Sequence, residues 1–144
     1  MNIGRLRWWD IAELLPIEAD LFGDERWSDA MFWNELAGGH YYLAAHDGPE
    51  LVGYAGLSVN GEDAWIQNIA VRRDRQHRGT GRALLAALLA EAGRRGCDQV
   101  LLEVAVNNDA ALKLYEAYGF TKVGLRRGYY QPSNIDAWVM RRDG

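Results

Sequence analysis

Residues 69–84 read Ile-Ala-Val-Arg-Arg-Asp-Arg-Gln-His-Arg-Gly-Thr-Gly-Arg-Ala-Leu. An apolar strand enters a basic loop with two glycines, and the loop opens a helix. Followed by another strand, the unit becomes a β-α-β crossover, which requires a parallel pair and narrows the fold. The junction also makes an anion site. The first N–H groups of a helix have no partner inside it, and the helix dipole adds about half a positive charge there. Gly79 and Gly81 carry no Cβ to hold a ligand off the backbone. Arg75, Arg78 and Arg82 supply charge for a polyphosphate. The plain alternative is an ordinary strand-to-helix turn with a solvated basic loop.

The flanking pattern gives the rest of the order. Ile3–Trp8 alternates as a first strand. Asp10 is placed to cap a helix through Phe22, with Pro16 as a defect inside it. Ser28 caps a second helix through Leu36, ended by Gly38–Gly39. Tyr41–Ala45 and Leu51–Val59 are strands, and Asn60-Gly61 is a hairpin signal leading into Ala64–Val71. Leu84, Leu85, Leu88 and Leu89 share one face of a helix from Thr80 to Arg95, stopped by Gly96. Gln99–Val106 is a strand. A fourth helix starts at Asn108 or Asp109 and ends at Gly119. Phe120–Leu125 and Ile135–Met140 close the chain. The expected order is β-α-α-β-β-β-α-β-α-β-β. It describes one α/β (mixed α+β) domain over residues 1–144, with antiparallel strands first and one parallel pair later.

The 144 residues are 49% apolar, enough for a core without staples. The single cysteine, Cys97, cannot form an internal disulfide and reads as a small buried hydrophobe. His40, His46 and His77 lack neighbours at metal spacing, so no metal is expected. No basic and apolar leader opens the chain, and its longest apolar run, Ala83–Ala90, is too short for a membrane span. These features point to the cytoplasm and away from membranes. A net charge of −4 argues against nucleic acid as a direct partner. Basic residues gather at Arg72–Arg82 and Arg126–Arg127, whereas Glu13, Glu18, Asp20, Asp24 and Glu25 suggest an acidic side suited to a basic protein. The six tryptophans read mainly as core and sheet-face packing.

Val100-Leu101-Leu102-Glu103-Val104-Ala105-Val106 has the apolar density of a strand covered on both faces. Glu103 breaks it. A lone carboxylate there either reaches solvent or an arginine, or serves as a general base at an opening in the sheet. Twelve residues on, Leu114-Tyr115-Glu116-Ala117-Tyr118-Gly119-Phe120 ends the fourth helix. Aromatic packing on the sheet accounts for Tyr118 and Phe120.

The loop Gln76-His77-Arg78-Gly79-Thr80-Gly81 is neither G-x-G-x-x-G nor a P-loop. It resembles the Q/R-x-x-G-x-G/A pyrophosphate loop of the GCN5-related N-acetyltransferases, which bind acetyl-coenzyme A. The chain is similar to one branch of that family, the bacterial ribosomal-protein-alanine N-acetyltransferases. The matching strings are Asn68-Ile69-Ala70-Val71, Leu102-Glu103-Val104, Leu114-Tyr115-Glu116 with Gly119-Phe120, and Arg126-Arg127-Gly128-Tyr129-Tyr130-Gln131-Pro132. Trp27-Ser28 matches the start of the second helix. The likeness spans nearly the whole chain and is strongest from Trp65 to Pro132.

The resemblance implies a mixed, mostly antiparallel sheet of about seven strands with one parallel pair and helices on both faces. It implies acetyl-CoA as co-substrate, held by Ile69, Ala70 and Val71, by the loop residues Gln76, His77, Arg78, Gly79, Thr80, Gly81 and Arg82, and by Asn108. Glu103 is the implied base and Tyr115 the implied acid. The Ile69 N–H is the candidate to polarise the thioester carbonyl. Trp27, Tyr129 and Tyr130 flank an acceptor peptide that begins with Ala, or with Ser or Gly, and belongs to a small-subunit ribosomal protein. The enzyme is expected as a monomer. Ala105 departs from the pattern, since many relatives have arginine there. Acetylation of a small amine or of lysine, and a non-catalytic CoA-binding module, are the competing readings.

Overall fold

The computed structural model describes residues 1–143, and the elements follow the expected order. They are β1 (Asn2–Arg5), α1 (Ile11–Phe22), α2 (Asp29–Ala37), β2 (Tyr41–Asp47), β3 (Glu50–Asn60), β4 (Asp63–Val71), α3 (Thr80–Arg94), β5 (Gln99–Ala105), α4 (Asp109–Ala117), β6 (Thr121–Tyr130) and β7 (Ile135–Asp143). One seven-stranded sheet has the order β1-β2-β3-β4-β5-β7-β6. Every pairing is antiparallel except β4 with β5. That parallel pair is the one the β4-α3-β5 crossover requires.

Side-chain alternation sends the strands into two cores. Leu43, Ala45, Ala55 and Leu57 face α3 and α4, where they meet Leu84, Leu85, Leu88 and Leu112. Tyr42, Ala44 and Tyr54 face α1 and α2, where they meet Leu14, Ile17 and Phe32. Leu84, Leu85 and Leu88 are fully buried, each worth about 1.5–3 kcal/mol of apolar burial. Cys97 is buried in the α3 core.

A β-bulge decides where the sheet opens. Gly56 pairs with Asn68 and Leu57 with Ile66, so Gln67 is an extra residue in β4. Such a residue bends its strand and shifts the alternation by one. Ala64 and Ile66 lie in the α3 core before the bulge, and Ile69 and Val71 pack on that core after it. Asn68 and Ala70 are thereby turned to the α1 side. Downstream of the bulge the two parallel strands separate. Their ladder holds only Asp63–Gln99, Ala64–Val100 and Trp65–Leu101.

Several sequence expectations are corrected. β1 stops at Arg5 and not at Trp8, because residues 8–10 form a 3₁₀ turn. Asp10 does not cap α1; its carboxylate accepts the Arg7 N–H at 2.8 Å and lies 3.4 Å from His46. β5 is not covered on both faces. Val100, Leu102 and Val104 are buried, whereas Leu101, Glu103 and Ala105 are only half-buried. β6 runs on to Tyr130, so the Arg126–Tyr130 string is strand and not loop. Trp8, Trp9 and Trp33 stand exposed as a surface stack and are not core.

Candidate active site

The anion loop has the geometry its sequence requires. Gly79 adopts φ +83° ahead of Thr80, the first residue of α3. A Cβ at Gly79 would meet nothing within 4 Å, so the space over the helix start is clear. Gln76 Nε2 donates to the Val71 carbonyl at 3.0 Å, so this side chain shapes the loop. His77 takes φ +64° in the same turn. Thr80 is buried, and its hydroxyl donates to Met1 Sδ at 3.2 Å.

The arginines divide differently from the expectation. Arg75 is paired with Asp47 and Glu50, and Arg72 with Asp74 and Glu50. Arg75 therefore ties the loop to the β2–β3 turn and is corrected from the phosphate set. Among the described residues Arg78 and Arg82 make no ion pair and remain available to an anion. The acidic side is corrected as well. Glu13 accepts the Leu51 N–H at 2.7 Å, and buried Glu18 accepts the Trp27 N–H at 2.9 Å and the Tyr54 hydroxyl at 2.5 Å. Burial holds the Glu18 carboxyl above its ordinary value, against those two hydrogen bonds.

The opening between β4 and β5 has a polar edge. The Arg72 N–H donates to the Val52 carbonyl at 2.7 Å. Counting back by twos, Ala70 and Asn68 also turn their backbone groups to β3, whereas Ile69 and Val71 turn theirs into the opening. The Val71 carbonyl is taken by Gln76. The Ile69 N–H is thus directed where β5 has withdrawn.

Two cavities meet at Glu103. One, of about 460 Å³, reaches from Glu18, Asn68 and Ile69 past Asn108 and Ala111 to Tyr115. The other, of about 620 Å³, is lined by Trp27, Met31, Trp65, Arg126, Tyr129 and Tyr130. Glu25, Trp27, Gln67, Glu103 and Tyr130 border both. Glu103 Oε2 is buried without a hydrogen-bond partner, and Arg126 Nε lies 3.5 Å from it. The carboxylate therefore has an arginine beside it and also faces the opening.

Tyr115 sits against Phe120, with ring centroids 5.8 Å apart. Burial pushes its hydroxyl up to about 12, so it keeps its proton at neutral pH. Burial and the nearby Glu103 carboxylate also raise Tyr129, and burial raises Tyr130. Asn108 caps α4, accepting the Ala111 N–H at 3.2 Å, and still lines the inner cavity.

The structure thus gathers Trp27, Ile69, Glu103, Asn108, Tyr115 and Tyr130 around one opening, with Tyr129 on its outer side. Gln76–Arg82 form the anion loop at the C-terminal end of β4. Sequence reasoning missed Arg126 as the neighbour of Glu103, and Glu25 and Gln67 as shared walls. Arg126 was visible inside the Arg-Arg-x-Tyr-Tyr string; Gln67 had no motif.

These residues fit acetyl-CoA. The clear space over Gly79, the unpaired Arg78 and Arg82, the free Ile69 N–H and the cavity reaching Tyr115 suit a diphosphate joined to an extended amide chain. Among the described residues no group of three His, Cys, Asp or Glu side chains gathers as a metal site, and no helix is long and apolar enough to cross a membrane.

Residues 6–120 match the family model described as Acetyltransferase (GNAT) family. The N-alpha-acetyltransferase RimI of Mycobacterium tuberculosis is 46% identical over 99% of this chain and 92% of its own length. The Escherichia coli ribosomal protein bS18-alanine N-acetyltransferase is 36% identical over 79% of this chain and 78% of its own. The crystal structure of the ribosomal-protein-S18-alanine N-acetyltransferase from Escherichia coli superposes with a TM-score of 0.90 at 31% identity, covering 99% of this chain and 92% of that one. Sheet order, opening and relatives agree: the chain belongs to the GNAT family of acetyltransferases.

Proposed function

We propose that the chain transfers the acetyl group of acetyl-CoA to the N-terminal α-amine of a protein, with a ribosomal protein that begins with Ala as its principal acceptor. The carrying observation is the place of Glu103. Its carboxylate stands where an inner cavity reaching Tyr115 meets an outer groove walled by Trp27, Tyr129 and Tyr130. The names of the Mycobacterium tuberculosis and Escherichia coli relatives favour the same acceptor class. On this reading the enzyme acts as a monomer in the cytoplasm.

Acetyl-CoA supplies the activated acetyl thioester. Arg78, Arg82 and the amides of residues 78–81 hold its diphosphate, and the edge of β4 at Ile69–Val71 with Asn108 holds the arm. The Ile69 N–H donates to the oxygen that becomes negative during transfer. An α-ammonium has a pKa of about 7.7–8.0, so a carboxylate suffices as base. Glu103 takes that proton at its carboxylate, with the Arg126 guanidinium 3.5 Å away. Tyr115 keeps its hydroxyl proton for the departing sulfur. No side chain is acylated.

The test is mass spectrometry of a short Ala-starting peptide incubated with the protein and acetyl-CoA. A second peptide with a blocked N-terminus and one lysine runs beside it. One acetyl group on the free α-amine alone is expected. Transfer to the lysine peptide alone overturns the acceptor.

A further inference from the structure

Asn68 is the one residue of the inner cavity whose side chain the mechanism leaves unused and whose polar atoms are all stranded. Both its Oδ1 and its Nδ2 are buried and have no hydrogen-bond partner among the described residues. Buried polar atoms are almost always paired, so an orphaned pair marks a place where something else binds. The nearby donors are already committed. The Tyr42 hydroxyl lies beside the Asn68 side chain, but it donates its proton to Glu35 at 2.9 Å and has none to offer Oδ1. The Tyr54 hydroxyl donates to Glu18.

The bulge at Gln67 makes this placement. It turns Asn68 out of the apolar α3 side and onto the side where Glu103 stands, across the opening between β4 and β5. Both residues line the inner cavity, and Glu103 Oε2 is stranded there too. A primary carboxamide offers one acceptor and two donors on neighbouring atoms. A trans peptide bond points its N–H and C=O to opposite sides, so the carboxamide meets one of them, Oδ1 accepting the N–H.

We propose that the Asn68 carboxamide pairs with the first peptide bond of the acceptor, and so makes the enzyme favour peptide α-amines over simple amines. The proposal rests on the acceptor class given above. Acetyl-CoA also contains secondary amides. The acceptor is favoured because its amine must reach Glu103, which borders both cavities, and its first amide nitrogen lies only about three bonds from that amine. The arm of acetyl-CoA is instead served by the β4 edge.

The experiment compares wild type with Asn68→Ala and the near-isosteric Asn68→Leu. Acceptors are an Ala-starting peptide and the same peptide with an ester replacing its first amide. Acetyl-CoA affinity is titrated by calorimetry and Tm is recorded. Both variants should raise peptide KM about tenfold, the size of one buried hydrogen bond. The ester should cost wild type a similar factor and cost the variants nothing further. Acetyl-CoA affinity should stay within about twofold, and Tm should not fall, because an orphaned amide contributes nothing to the free protein.

Weaker acetyl-CoA binding with unchanged peptide KM would assign the pairing to the co-substrate and overturn the proposal. Unchanged KM and affinity would leave only water as the partner and would overturn it equally. A fall in Tm with unchanged KM would make Asn68 structural. A wild type that binds acetyl-CoA but acetylates no peptide would refute the acceptor class itself. That outcome is distinct, because it needs no variant.

Discussion

On the α3–α4 side the sheet meets Leu84, Leu85, Leu88 and Ala92, all buried and all apolar. On the α1–α2 side the sheet presents Tyr42 and Tyr54, each held by a glutamate, and the stranded amide of Asn68, beside buried Asp10 and Glu18. The first side is a core in the ordinary sense. The second holds polar groups that cost free energy to bury and are placed around an opening. Glu103 is thus set apart from the apolar core by the thickness of one sheet, while Tyr115 reaches the opening from the α3–α4 side, and β5 shows the division residue by residue. Val100, Leu102 and Val104 go to the core, and Glu103 goes to the opening.

The sharpest test of that separation is Glu103→Gln. The amide keeps the shape and loses the basicity, so kcat should fall about 100-fold or more at saturating substrates. Acetyl-CoA affinity and Tm should hold. Tyr115→Phe tests the opposite end of the cavity with the same assay, though its ring also packs on Phe120. A Glu103→Gln enzyme with normal turnover would remove the base from the mechanism.

Leu85→Ala should give the mirror image. Leu85 is fully buried in the α3 core, and its truncation should cost about 2–5 kcal/mol in denaturant titration. Well below the transition, kcat should be unchanged. A large loss of kcat in a folded variant would show that the two sides are mechanically coupled.

A smaller effect is expected from Glu18. Burial raises its pKa in the folded protein above the ordinary 4.5. The folded state therefore holds the proton more tightly than the unfolded chain. Its contribution is full below about 4.5 and is lost as pH rises through the raised value. Each tenfold gain in proton affinity on folding is worth about 1.4 kcal/mol. Glu18→Gln cannot titrate. The stability difference between wild type and Glu18→Gln should move in favour of wild type as pH falls from 7 towards 5. The difference cancels the surface carboxylates Asp74 and Glu91, whose pKa values are lowered. A difference constant with pH would mean that Glu18 is not held away from water.

Much of the opening was legible because its signals are local. The glycines of the anion loop, the Asn60-Gly61 hairpin and the lone carboxylate in an apolar strand each announce themselves within a few residues. The bulge was written more faintly, in the spacing Ala64, Ile66, Ile69, Val71, where a step of three breaks a period of two. Reading across that step hides Asn68. Arg75 was misassigned because its partners, Asp47 and Glu50, lie 28 and 25 residues earlier and only the β3–β4 pairing brings them near. Glu13 and Glu18 looked like solvated acids for the same reason. Each is satisfied by a backbone N–H that the sequence does not place beside it.

The smallest predicted effect concerns the rim, where the two sides of the groove touch. Ser133, in the turn between β6 and β7, donates to Glu25 in the turn between α1 and α2. Glu25 borders both cavities, so this contact joins the loop carrying Trp27 to the strand end carrying Tyr130. The bond is exposed, and one such bond is worth about 0.5–1 kcal/mol net. Ser133→Ala should therefore lower Tm by no more than about 2–4 °C, leave kcat unchanged and raise peptide KM about two- to fivefold. Acetyl-CoA affinity should not move, because the rim lies on the acceptor side. An unchanged peptide KM would show that the α1–α2 loop holds its place through Glu18 and Trp27 alone. In that case the polar side of the sheet, and not the strand end across the groove, sets the shape of the acceptor site.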